Sequence, residues 1–190
     1  MRAKPAAAIL KAEPPAGLAW GPVAGGAPLP LDPIRAFETG HYLHVPLLQG
    51  SNHDEGRFFV GIEFDLLGGH PLTAARYPKV LAAQFGAQAA KPILARYPLR
   101  KFPSPDLAYA QVLTDAQFSY PALLADILTQ RSGAYGYEFS DPHPPNDFPV
   151  KFSFPLGAAH STELQYVFGK IPFLDTTPPF TPAQFGLSLG

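Results

Sequence analysis

Phe154-Pro-Leu-Gly-Ala-Ala-His160-Ser-Thr-Glu163-Leu-Gln-Tyr-Val-Phe-Gly169 reads as a tight loop bearing one histidine, followed at once by a short helix. Ser161 or Thr162 can cap that helix by accepting an orphan N–H, and Gly169 can end it in the left-handed conformation. Leu164, Val167 and Phe168 fall at i, i+3 and i+4, which predicts an apolar face packed inward. His160 then stands at the mouth of the helix on a rigid support. A second stretch, Val45-Pro-Leu-Leu-Gln-Gly-Ser-Asn-His-Asp-Glu55-Gly-Arg-Phe-Phe59, predicts an apolar strand, a turn and an acidic pair ahead of aromatics. A histidine acts as a general base when a carboxylate fixes its tautomer and stabilises the imidazolium. Glu55 and His160, 105 residues later, can supply two members of a hydrolytic triad, and the third member decides how far that reading extends.

The order of elements sets the fold class. His44 to Gly50 is a nearly continuous apolar run, the pattern of a strand covered on both faces in a parallel sheet. Ala134-Tyr135-Gly-Tyr137-Glu-Phe139 alternates and predicts a second strand, with Tyr135, Tyr137 and Phe139 in the core. Between them, residues 72–129 are helical in texture, punctuated by Pro78, Pro92, Pro98, Pro103 and Pro105. Pro121-Ala-Leu-Leu124 opens the firmest helix, and Gly133 lies beyond its end. Upstream, Asp32 caps a helix with Pro33 at its first position, and Gly40 ends it. Strand, acidic loop, helical excursion, strand, histidine loop and helix together predict an α/β fold. Two strands are too few for a sheet that buries both faces, so part of that fold is expected to be absent.

Composition narrows the function classes. A chain of 190 residues with 46% hydrophobic content can build the core of one domain, and no internal repeat or boundary is visible. The 14 basic and 15 acidic residues are scattered, so no basic stripe supports nucleic-acid binding or attraction to a membrane surface. No apolar run approaches the roughly 20 residues of a spanning helix. The segment from Met1 to Lys11 has an apolar run shorter than the roughly 7–15 residues of a signal peptide and reads as the tail of a helix. The absence of cysteine excludes disulfides, thiolate metal sites and a cysteine nucleophile. Proline is abundant, 24 residues, but 13% aromatics accompany it, which favours long ordered loops on a packed domain.

Other polar clusters read as structural. His41, His44 and His53 fall on a helix end, a strand and a turn, not at metal-ligand spacing. Asp54 and Glu55 are adjacent in a turn and point apart, unlike a glycosidase pair. Asp115 reads as a helix-associated buried acid with an open role.

Taken together the two motifs resemble a known family. Gly50-Ser-Asn-His-Asp-Glu55-Gly-Arg-Phe-Phe59 resembles the acidic motif of the type-B carboxylesterases, which include cholinesterases and bacterial para-nitrobenzyl esterases. Residues 154–169 resemble that family's histidine motif at matching relative position. Leu18-Ala-Trp20-Gly-Pro-Val with Leu31-Asp-Pro33 resembles the segment leading into the acidic strand. The resemblance covers most of residues 1–190 and implies the C-terminal part of an α/β-hydrolase fold, truncated at both ends. It implies hydrolysis of small-molecule carboxylic esters, with Glu55 as the triad acid, His160 as the general base and Glu163 as a supporting carboxylate near the site. No cofactor and no metal is expected.

The sequence departs from that family where the nucleophile belongs. Nothing before residue 45 resembles the oxyanion-hole glycines or the G-x-S-x-G elbow, whose serine precedes the acid and the histidine in chain order. Gly186-Leu-Ser188-Leu-Gly190 matches the pattern formally, but it follows the histidine and lacks the strand and helix that an elbow joins. Residues 180–188 resemble instead the start of the family's C-terminal helical segment. The expectation is a chain inactive alone, lacking an N-terminal half with the serine. Two other readings compete: a non-catalytic interaction module on the same fold, and one half of a split esterase that needs a partner chain. Localisation is left open.

Overall fold

The structure, a computed structural model, describes residues 3–12, 23–145, 148, 151–168 and 180–189. The sequence expectations placed on Trp20 and Gly169 lie outside the described residues. The chain divides into two units, Met1–His44 and Val45–Gly190.

In the first unit, α1 (Ala6–Lys11) is the helix expected near the N-terminus. The second helix, α2 (Pro33–Thr39), is built as its sequence dictates. Asp32 accepts the N–H groups of Ile34 and Arg35 at 3.0 and 3.3 Å, and Gly40 ends the helix at φ +75°. No described residue of this unit is buried, so α2 rests on its local caps rather than on a core.

The second unit carries the sheet and the core. The strands β1 (Leu47–Asn52) and β2 (Ala134–Phe139) pair in parallel, in register from Leu47 opposite Ala134 to Asn52 opposite Phe139. A parallel pair needs a crossover, and the helical excursion supplies it. It runs through α3 (Glu55–Val60), which continues as a π-helical segment Gly61–Leu67, then α4 (Tyr77–Phe85), α5 (Ala87–Arg96) and α6 (Pro105–Thr114). A second π-helical segment, Asp115–Ser119, leads into α7 (Tyr120–Thr129). After β2 come α8 (Leu164–Phe168) and α9 (Pro182–Leu189). Pro78 and Pro105 sit in first turns, where their missing N–H is harmless, whereas Pro92 stays inside α5 instead of ending it.

The core sits among the helices. Val60 and Phe64 pack with Tyr77, Leu81, Tyr109 and Leu113, and Phe154 closes the cluster. Gly56 lets α3 press on α6, since a Cβ there would lie 2.1 Å from the Ala110 carbonyl oxygen. Its N–H donates to Thr114 Oγ1 at 2.9 Å, which fixes the start of α3 against α6.

The sheet departs from its expected burial. One face is covered by α7, where Gln49 Nε2 donates to the Ala122 carbonyl at 2.5 Å and to Asp126 at 2.8 Å. On the other face Leu48 is 72% exposed, and Tyr135 and Tyr137 are 65% and 49% exposed. The apolar run identifies a strand that needs two covers, and the described residues supply one. Tyr135 and Tyr137 are therefore surface residues here, not core.

The inward face of α8 also differs from the periodic reading. Gln165 and Tyr166 are buried, while Val167 and Phe168 are exposed. Tyr166 lies tilted between Phe139 and Phe180, at 4.9 and 4.7 Å between ring centroids, and its hydroxyl donates to Asp141. Gln165 donates to the Pro145 carbonyl at 2.7 Å. These specific partners outweigh a three-residue apolar pattern on so short a helix.

Candidate active site

β1 ends at Asn52, His53 and Asp54 make the turn, and Glu55 is the first residue of α3. Its carboxylate is buried, only 6% of the residue being exposed, and reaches back over the turn. Oε1 accepts the N–H of Asn52 at 2.9 Å, and Oε2 lies 2.7 Å from Nδ1 of His160. A carboxylate can only accept, so Nδ1 carries the proton and the neutral ring keeps its lone pair on Nε2. Nε2 has no hydrogen-bond partner among the described residues, and 41% of the imidazole side chain is exposed.

The loop that carries His160 is fixed on both sides of the ring. Ala158 and Ala159 are buried, and Asn52 Nδ2 donates to the Ala159 carbonyl at 2.8 Å and to the carboxylate of Glu163. Thr162 does not cap α8; its hydroxyl turns back to donate to the Ala159 carbonyl at 2.7 Å. Ser161 does not cap it either. It adopts φ +71°, the one left-handed non-glycine among the described residues, directly after the histidine. Such strain persists where surroundings over-determine the backbone, as the buried loop does here.

Three phenylalanines flank the imidazole: Phe58, Phe59 and Phe118, with centroids 6.3, 5.0 and 5.6 Å away. Phe118 arrives on the second π-helical segment, a local widening of the helix that re-aims side chains. The hydrogen bond to Glu55 raises the pKa of His160 above the ordinary 6.5; burial opposes it, and the charges of Glu55 and Glu163 add to the rise. The arrangement can hold a proton at Nδ1, accept another at Nε2 and stabilise the resulting imidazolium.

The structure thus brings Glu55, His160 and Glu163 into one cluster, with Asn52 bridging them. Asn52 and Phe118 are absent from the sequence-level site. Asn52 lies inside the acidic motif and could be suspected there; Phe118 has no local signal. Ser188 is a helical residue of α9 whose hydroxyl donates to the Tyr166 carbonyl at 3.0 Å. No serine or threonine hydroxyl of a described residue is hydrogen-bonded to His160. Asp115 is half-buried and accepts from Tyr97 at 2.5 Å and Gln111 at 2.9 Å, a role in tying helices together.

A carboxylate–histidine pair on the segments that follow two parallel strands is a recurrent arrangement of hydrolytic sites. The model of the carboxylesterase family matches residues 1–185 of the chain. The chain belongs to the carboxylesterase family. No match to this carboxylesterase-family chain was found among curated proteins. Family membership places it among hydrolases, and its helix-rich structure with a two-stranded parallel sheet is compatible with part of an α/β-hydrolase fold.

Proposed function

We propose that the chain carries the acid and base of a Ser–Glu–His triad for hydrolysis of small-molecule carboxylic esters, and that the serine and the oxyanion donors come from outside its 190 residues. The observation that supports this most is the 2.7 Å contact between Glu55 Oε2 and His160 Nδ1, with Glu55 held from behind and Nε2 left open. In the complete site, His160 Nε2 would take the serine proton as the hydroxyl attacks the ester carbonyl. It would then pass that proton to the departing alcohol, while Glu55 stays ionised and orients the ring. Glu163, held by Asn52, would stand behind the pair as a supporting charge.

The bare sheet face favours the same reading. A parallel sheet is ordinarily covered on both faces, and among the described residues none covers the side of Leu48 and Tyr135. That the described residues supply neither a second cover nor a nucleophile beside His160 is accounted for if residues 1–190 are the C-terminal part of an α/β-hydrolase domain. On this reading the chain alone turns over no ester. Intact mass after treatment with a fluorophosphonate serine probe tests it. No adduct and no turnover of a nitrophenyl ester are expected; a stoichiometric adduct lost in His160→Ala would overturn the assignment of the nucleophile elsewhere.

A further inference from the structure

Beside the acid–base pair lies an ion pair that touches neither reacting nitrogen. Asp54 is buried, and its Oδ1 lies 2.8 Å from Arg57 and 2.9 Å from His53 Nδ1. Its Oδ2 accepts the N–H of Ala158 at 3.1 Å, and its own N–H donates to the Ala158 carbonyl at 3.0 Å. Arg57 extends the grip by donating to the Pro155 carbonyl at 3.1 Å. Between these anchors Gly157 adopts φ +60°, and a Cβ there would fall 2.3 Å from Asp54 Oδ2 and 2.8 Å from the Arg57 guanidinium. The backbone of residues 155–158 is therefore laid directly on the ion pair.

Only Ala159 separates this anchored segment from His160. Asp54 and Glu55 are neighbours, so one dipeptide grips the histidine loop twice, through its main chain at Ala158 and through the imidazole itself. We infer that Asp54 and Arg57 are positioning residues for His160: their ion pair clamps residues 155–158 so that Nδ1 is delivered to Glu55. This rests on the acid–base reading above. It assigns a task to the acidic residue and the arginine that flank Glu55 in sequence. Neither contacts the imidazole, so the positioning they exert on it passes through the backbone.

The test is the titration of His160 in the full chain, followed by NMR of its ring protons together with the downfield Nδ1–H signal. In Arg57→Gln the clamp loses the cation paired with Asp54 and its hold on Pro155. His160 should lose most of its elevation, falling toward 6.5, and the Nδ1–H signal should weaken or vanish. The sign discriminates: removing a cation acts electrostatically to raise a histidine pKa, whereas mispositioning lowers it. Arg57→Lys, which keeps the charge, should restore part of the elevation. Gly157→Ala keeps both charges and displaces the backbone, and should lower the His160 pKa in the same way. An unchanged or raised His160 pKa in folded Arg57→Gln overturns the inference, and if that variant does not fold, an unchanged pKa in Gly157→Ala does so. Glu55→Gln separates the two readings. If it lowers the His160 pKa while the clamp variants do not, the clamp alone fails; if it has no effect either, the acid–base pair itself fails.

Discussion

The backbone N–H of Asn52 lies 2.9 Å from Oε1 of Glu55, so the residue that ends β1 holds the carboxylate that begins α3. The same residue's side chain spans to the Ala159 carbonyl and to Glu163. Strand end, acid and histidine loop therefore meet at one amide. Asn52→Ala keeps the backbone bond to Glu55 but removes the amide donor of the Glu163 carboxylate and one donor of the Ala159 carbonyl, which keeps its bonds from Thr162. A loss of about 0.5–1.5 kcal/mol is expected from urea unfolding, the net range for hydrogen bonds lost where the remaining carbonyl keeps other donors. A midpoint unmoved from wild type would show that the side-chain bridge contributes nothing.

The Glu55–His160 bond makes a prediction with a definite sign. The folded pKa of His160 is raised above its unfolded value, so the pair's proton-linked stabilisation is complete below about 6.5 and is lost as pH rises through the folded pKa. The stability difference between wild type and Glu55→Gln should therefore be largest at mildly acidic pH and shrink in alkaline solution. A gap that is constant across that window, measured by denaturant titration at each pH, would contradict the pairing. In a complete enzyme the same elevation would move the rise of activity with pH, as His160 becomes the neutral base, to higher pH.

How much of this was legible in the sequence follows from what each feature depends on. The caps at Asp32 and Gly40, the parallel strand pair and the placement of Glu55 and His160 after their strands depend on short stretches read in order. The exposure of Tyr135 and Tyr137 could not be read, because apolar alternation reports that a face needs cover and not what provides it. The inward face of α8 was misread because Tyr166 is buried by Phe139, Phe180 and Asp141, distant partners invisible to a periodicity of 3.6. Phe118 reaches His160 through a π-helical segment that no residue pattern announced.

Packing of α3 on α6 can be tested at a single atom. Gly56→Ala places a methyl 2.1 Å from the Ala110 carbonyl oxygen and 3.0 Å from Leu113 Cβ, both in rigid helix. Neither neighbour is a flexible side-chain end, so the helices must separate. A destabilisation of about 1–3 kcal/mol or more is expected, with a matching fall in the thermal midpoint. Because α3 also begins with Glu55, the His160 titration should shift in the same variant. Retention of both wild-type stability and titration would mean that the close approach is not sustained in solution.

The sheet face that the described residues leave open yields the last prediction. Leu48 and Tyr135 are directly paired across β1 and β2, and both stand mainly in solvent. An apolar face of this kind favours association unless something covers it. Leu48→Lys and Tyr135→Lys should each change stability by only about 0.5 kcal/mol, since neither side chain is packed, yet reduce self-association of the isolated chain in light scattering. If the face is instead the seat of the remainder of a hydrolase domain, the same lysines should abolish rescue of esterase activity by a co-expressed segment carrying the nucleophile. Loss of association without loss of rescue would mean that the face is merely sticky. Loss of both would mean that the nucleophile half docks where the sheet lacks its second cover, and rescue would then depend on Glu55 and His160 as well.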